Sequence, residues 1–238
     1  MTRVALREVT KVYDTGVRAL DGVTLDLPEG RLTAVMGPSG SGKSTLMQCA
    51  AGLDTPTSGT VTIGGTEISH LSEAARTKLR RERIGFVFQS YNLLPSLDLR
   101  DNITLPLRLA GRTADPARLT RLAARVGLAD RLGHRPAELS GGQQQRAAII
   151  RALIADPDVV FADEPTGALD LRSAAEVLDL LRELVDELGQ TVLMVTHDPN
   201  AAARADQALV MADGRVVDAI EAPTADRLAR NLTLLSGA

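Results

Sequence analysis

Gly37-Pro38-Ser39-Gly40-Ser41-Gly42-Lys43-Ser44 is the stretch on which the fold turns. It fits the phosphate-loop pattern G-x-x-x-x-G-K-[ST] at every fixed position, and it follows a short apolar run, residues 32–36, that reads as a buried strand. The glycines let the backbone curl so that successive N–H groups can point at phosphate oxygens. Lys43 is spaced to reach the outer phosphates, and the Ser44 hydroxyl suits Mg²⁺. Residues 44–51 read as a helix, whose positive end favours the same anion. A glycine-rich turn that binds nothing would not need eight residues in register between strand and helix. The stretch reads as a nucleoside triphosphate site.

Composition narrows what surrounds that site. A chain of 238 residues can bury a real core as one large domain or two small ones. It is 44% hydrophobic and 24% charged with a net charge of −3, an acidity that argues against a nucleic-acid protein. No apolar run approaches the roughly 18–20 residues that span a bilayer, and the N-terminus lacks the apolar core of a signal peptide. The single cysteine, Cys49, excludes an internal disulfide and reads as a small core residue. A reducing cytosol is the expected setting. Arginine outnumbers lysine 24 to three (Lys11, Lys43, Lys78), read as compositional bias. Lys43 stands out against it, because a compact ammonium suits a tight phosphate cradle better than a planar guanidinium.

Working outward from the loop, residues 4–27 alternate and break near Asp14-Thr15-Gly16, which predicts an antiparallel pair. Gly64-Gly65 lies between β-prone runs and predicts a hairpin over 60–68. Residues 72–83 read as a charged helix and 84–88 as a strand. From 91 to 155 the pattern turns helical. Asp115-Pro116 starts one helix there, Leu119, Leu122, Ala123 and Val126 form its apolar stripe, and Gly127 ends it. Buried strands are expected at 158–161 and 191–196. Between them 173–188 reads as an amphipathic helix, with Ser173 and Glu176 as its capping box and Gly189 as its stop. Asp213-Gly214 joins a last hairpin. The sum is an α/β core with an antiparallel β flap and an inserted helical lobe.

Val159-Val160-Phe161-Ala162-Asp163-Glu164 is an apolar strand ending in two adjacent carboxylates. An acidic turn before a proline is common. In a nucleotide-binding α/β sheet, however, the carboxyl ends of strands face the ligand. Asp163 would then hold Mg²⁺, and Glu164 would polarise the water that attacks the terminal phosphate. Leu139-Ser140-Gly141-Gly142-Gln143 precedes a helical run over 144–155. Ser140 and Gln143 fit an S-x-x-Q capping box, which explains helix initiation but not two poor helix formers between them. Those glycines would expose backbone N–H groups at a positively polarised helix end, a second anion site.

With that motif in place, residues 3–218 resemble the nucleotide-binding subunits of ABC transporters. The resemblance implies a P-loop, RecA-like core with an antiparallel β subdomain and a helical subdomain inserted. It makes 1–238 one ABC ATPase domain: flap and core over 1–90 and 156–220, helical subdomain over 91–155, and a helical tail over 221–238. It implies ATP and Mg²⁺ as ligands. It also implies a head-to-tail pair of copies in which Ser140, Gly141, Gly142 and Gln143 cap, in trans, the ATP held by the partner's loop (Gly37 to Ser44, with Thr45).

Other positions take roles from the same resemblance. Tyr13 would stack on adenine, although a lone tyrosine is more simply part of a strand surface. Gln89 would touch Mg²⁺ beside Ser44 and Asp163 and sense the membrane partner. Ala168-Leu169-Asp170 would cross the dimer seam. His197 would contact the γ-phosphate, with Glu164, Gln89 and Lys43, as part of the catalytic set. His70 and His134 match nothing and read as surface residues.

Phe88-Gln89-Ser90-Tyr91-Asn92-Leu93-Leu94-Pro95, the Gln143–Arg146 run and Ala162-Asp163-Glu164-Pro165-Thr166-Gly167 resemble the group serving MacB-, LolD- and FtsE-type systems. Ala168 departs from the asparagine usual there. That group implies a permease of the FtsX or MacB kind, export or extraction, and a peripheral position on the cytoplasmic face of the membrane, with Tyr91, Leu93 and Leu94 as permease contacts. Two alternatives stand beside it: an ATPase that regulates a membrane protein without transport, and a nucleic-acid-associated ABC ATPase. The latter carry long coiled-coil or zinc insertions or two fused cassettes, whereas only 49 residues separate Gln89 from Leu139 here, with no heptads or metal-ligand cysteines. The cluster Arg76, Lys78, Arg80, Arg81 and Arg83 reads as a solvated helix face.

Overall fold

A computed structural model describes residues 1–236. The chain opens with a long antiparallel pair, β1 (Thr2–Val12) and β2 (Arg18–Pro28), and continues into β3 (Leu32–Met36), the phosphate loop and α1 (Lys43–Ala50). The hairpin β4 (Ser58–Ile63) and β5 (Thr66–Glu67) follows, then α2 (Glu73–Arg83) and β6 (Ile84–Phe88). Three helices, α3 (Leu99–Leu109), α4 (Pro116–Arg125) and α5 (Gly141–Leu153), occupy the middle of the chain. After them come β7 (Val159–Asp163), α6 (Leu171–Leu188), β8 (Val192–Val195) and α7 (Pro199–Ala202). The hairpin β9 (Gln207–Ala212) and β10 (Arg215–Glu221) and the helix α8 (Ala225–Ser236) close it. The expected tail helix is α8, and the last two residues of that expectation lie outside the described residues.

Two sheets result. The flap is antiparallel in the order β2-β1-β4-β5, and the central sheet runs β10-β9-β3-β8-β7-β6, parallel throughout except for β10. The parallel strands are short continuous apolar runs because both faces are covered. In β7, Val159 and Phe161 point into a cluster with α1, α2 and the flap, whereas Val160 and Ala162 point into a second with α3 to α8. Burying a side chain such as Phe161 contributes roughly 1.5–3 kcal/mol, so this alternation fixes the register strongly.

That register builds the functional edge. Phe88 pairs with Asp163, Asp163 with Val195, and Val195 with Val35. The residues that follow these strand ends, Gln89, Glu164, His197 and the loop from Gly37, therefore emerge along one carboxyl edge. The inserted helices share a continuous apolar cluster with the sheet: Leu99, Ile103, Leu119 and Leu122 pack with Ile149, Ile150 and Val160. The main bridge is α5, which packs against α3, α6 and β6.

Four expectations change. α6 begins at Leu171, not after Ser173, and its cap is Asp170, whose carboxylate accepts from Arg172 N and Ser173 N. Glu176 is drawn instead into ion pairs with Arg146 and Arg172. The helical pattern starts at Leu99 rather than Tyr91, because Tyr91 and Asn92 adopt left-handed backbone at φ 58° and 50°. The α2 face is not simply solvated: Arg76 and Arg80 fold back on Glu73, Thr55 and the Gly52 carbonyl, and Arg83 pairs with Asp158. Cys49 is buried, which pushes its thiol up to about 12. His70 is exposed as expected, whereas His134 is half-buried.

Candidate nucleotide-binding site

The phosphate loop links β3 to α1 under tight steric limits. Gly37 and Gly42 have φ of 155° and 98°, and a Cβ on either would collide with the carbonyl of Met211 or Ala19. Only glycine fits there. The first turn of α1 has no side-chain cap and no acidic residue, so its leading N–H groups are left for an anion. Lys43 Nζ donates to Gly37 O and Pro38 O, both at 2.8 Å, which holds the ammonium over the loop. The buried hydroxyl of Ser41 has no hydrogen-bond partner. An uncapped helix end, a poised cation and an orphaned hydroxyl are what a polyphosphate would satisfy, so these residues fit that ligand.

Beside the loop stand the two carboxylates. Burial pushes the Asp163 carboxyl up, the neighbouring Glu164 adds to the rise, and Lys43 opposes it. Desolvation lowers the Lys43 ammonium while Glu164 and Asp163 pull it back. Glu164 takes left-handed backbone, φ 45°, and its N–H donates to Val195 O at 2.9 Å. Its Oε1 lies 2.8 Å from His197 Nδ1. His197, itself exposed, thus sets the direction of that carboxylate. Gln89 packs its amide against Gly167, where an added Cβ would come within 2.8 Å of Nε2. The exposed Ser44 hydroxyl, Asp163 and Gln89 offer hard oxygen ligands. Among the described residues, no group of three or more His, Cys, Asp or Glu is gathered for a metal.

Tyr13 is 37% exposed, and its hydroxyl lies 3.4 Å from Thr45 Oγ1 on α1. Lys11 Nζ sits 5.0 Å from the ring centroid, so one face is already taken by a cation. The loop, Tyr13, Thr45, Asp163, Glu164, His197 and Gln89 all gather on one side of the central sheet.

Ser140, Gly141, Gly142 and Gln143 do not join them. Ser140 caps α5, accepting from Gln143 N at 3.3 Å, while Gln143 Oε1 accepts from Ser140 N at 2.9 Å. The neighbours of the two glycines are Tyr91, Leu169, Ser173 and Arg146. Asp170 lies in the same neighbourhood, with Ser173 Oγ donating to it at 2.8 Å.

A family model for ABC transporters matches residues 20–167. The chain belongs to the ABC transporter family. It is 52% identical over 206 residues to the macrolide export ATP-binding/permease protein MacB of Bradyrhizobium diazoefficiens, across 86% of this chain and 31% of that protein. It is 49% identical over 232 residues to MacB of Rhodopseudomonas palustris, across 95% of this chain and 35% of that one. The cassette thus spans only 31–35% of the length of these relatives. The solved ATP-binding cassette MJ0796, a dimer in a post-hydrolysis state with ADP and Pi, superposes with a TM-score of 0.83 and 40% identity. That match covers 92% of this chain and 98% of the other. Family and fold together make this an ABC ATPase cassette.

Two residues of the site's surroundings escaped the sequence reading. Arg151 on α5 donates to the carbonyls of Tyr91 and Asn92 and clamps the segment after Gln89. Gln145, wholly buried, donates to the carbonyl of Pro165. For Arg151 the signal was a charge inside the apolar stretch of α5; Gln145, between Gln144 and Arg146, gave none.

Proposed function

We propose that two copies of this cassette close head to tail on two ATP and drive a membrane permease for export or extraction. The observation that carries the reading is the Glu164–His197 pair beside the Lys43 loop, a water-activating carboxylate aligned next to a phosphate cradle. Mg²⁺-ATP would bring the transferable phosphoryl group and a dication to neutralise it. The loop N–H groups and Lys43 would hold the outer phosphates, and Ser44, Asp163 and Gln89 would hold the metal. The raised Asp163 carboxyl fits that role, since two crowded acids countered by one lysine favour a nearby dication. Glu164 would orient the attacking water and take its proton, with His197 fixing where the carboxylate points. Ser140, Gly141 and Gly142 at the tip of α5, with Asp170, would close over the partner's nucleotide. The dimeric state of the matching cassette supports this.

The permease partner would dock in a groove beside the helical insertion. A groove of about 330 Å³ between α2, β6, α3 and α5 is floored by Phe86, Phe88, Leu105 and Pro106 and edged by Arg81 and Arg151. The MacB relatives are named ATP-binding/permease proteins, which supports a helix of such a subunit as its occupant. Asn92 lines the groove. Tyr91 turns toward Gly141 and Ala168, Leu93 packs on the core, and Leu94 is exposed. The inserted helices α3, α4 and α5 would carry motion from the dimer seam to that groove. No helix among the described residues is long and apolar enough to cross a membrane. The likeness to the MacB relatives supports a place for the cassette at the cytoplasmic face. Glu164→Gln is the test. With Mg²⁺-ATP it should double the mass seen by light scattering and abolish turnover; a monomer saturated with ATP, or unchanged turnover, would overturn the reading.

A further inference from the structure

Gln145 sits in α5 one turn beyond the glycine pair and is fully buried, as are Ala147, Ala148 and Ile149 further along the helix. Its Nε2 donates to Pro165 O at 2.5 Å, and its Oε1 has no partner. The carbonyl needs a donor, so chemistry dictates which way the amide points. Among the described residues, Gln145 is the donor found for that carbonyl. Pro165 has no N–H of its own and follows directly on Glu164. The turn it belongs to is closed by Gly167 N donating to Glu164 O at 3.0 Å. Held by Val195 before and Gln145 after, Glu164 keeps its left-handed backbone. In stability terms the glutamine is a poor choice, because it makes one buried hydrogen bond and leaves another group unmet.

We infer that Gln145 is a positioning residue for Glu164, fixing the catalytic turn from the same helix whose Ser140 tip completes the partner's nucleotide site. The inference rests on the dimer reading given under Proposed function. Its consequence is a link between the two sites. α5 is a single helix from Gly141 to Leu153, so a tilt imposed at its tip moves Pro165 through one short hydrogen bond. The carboxylate serving one ATP then responds to whether the other ATP is gripped.

Gln145→Met keeps the length and removes the donor. Circular dichroism and melting establish that the variant is folded. In it kcat should fall about tenfold while KM and the ATP affinity of the single chain stay within about twofold. The Hill coefficient for ATP should drop toward one. Hydrogen exchange at the Gly167 amide should speed up, a readout that stands even if turnover is too weak to measure. A folded Q145M protein with wild-type kcat and Hill coefficient, or with unchanged Gly167 exchange, overturns the inference. A wild-type chain that neither dimerises on ATP nor turns it over defeats the dimer reading itself, and the inference with it.

Discussion

The phosphate loop and the Ser140 tip of α5 are both glycine and serine at the start of a helix, yet one is nearly a whole site and the other only half of one. In the loop, α1 has no protein cap, Lys43 rests on two loop carbonyls, and Asp163 and Glu164 stand on a nearby strand. At the tip, Ser140 and Gln143 satisfy one another, and the surrounding side chains come from Tyr91, Leu169, Ser173 and Arg146. The charged groups near the tip are already committed, Arg146 to Glu176 and Asp170 to the start of α6. A site built within one strand–loop–helix unit carries its own chemistry, whereas a helix tip acquires a role only against another surface.

That contrast can be broken most directly at Lys43. Lys43→Ala should weaken ATP binding by at least about 100-fold in equilibrium titration, since a charged donor to phosphate is lost from a desolvated loop. Wild-type affinity in that variant would show that the loop is not the site. Ser140→Ala should instead leave the single chain's affinity for ATP unchanged and lower turnover about tenfold or more. It should also cost about 1 kcal/mol of stability through the lost cap. If monomeric affinity fell with it, the two regions would not be separate.

Asp163 sharpens the same comparison from the side of cost. Its carboxyl is raised in the folded chain, first by burial, so the native state takes up a proton more readily than the unfolded one. Stability contributed by this group therefore declines as pH rises from the ordinary carboxylate range through the raised value. Asp163→Asn should raise the melting temperature of the nucleotide-free protein near neutral pH by about 2–4 °C, with the gain closing in acid, and should remove Mg²⁺-dependent turnover. A lower melting temperature would contradict the electrostatic account. The smallest effect belongs to Asp170. Hydrogen bonds, the strongest from Ser173, hold its carboxyl below the usual range. The stability it contributes is present above the unfolded value and is lost as pH falls through the depressed one. Asp170→Ala should lower the melting temperature at neutral pH, and the difference should shrink in acid.

Much of the fold was legible because its signals were local. The strands at 32–36 and 84–88 form over those same residues, as apolar runs bounded by glycine or glutamine. The start of α6 was misread because two patterns compete within six residues. Ser173 and Glu176 fit a capping box, but Asp170 takes both the Ser173 amide and its hydroxyl, and Glu176 goes to arginines. The α2 arginines looked solvated for a similar reason: their partners Thr55 and the Gly52 carbonyl lie outside the helix. Gln145 and Arg151 gave no sign of their partners, which lie 20 and about 60 positions away in the chain.

Residue order alone determined the phosphate cradle, the acidic strand end at Asp163 and Glu164 and the S-x-x-Q helix start, because each is set by neighbours within one strand–loop–helix unit. Only the tertiary structure decided that Gln89, Glu164 and His197 meet at one edge, and that α5 reaches the turn after Glu164 through Gln145. The meeting at one edge depends on parallel strands whose register is fixed by burial on both faces of the sheet, and no local pattern encodes that pairing.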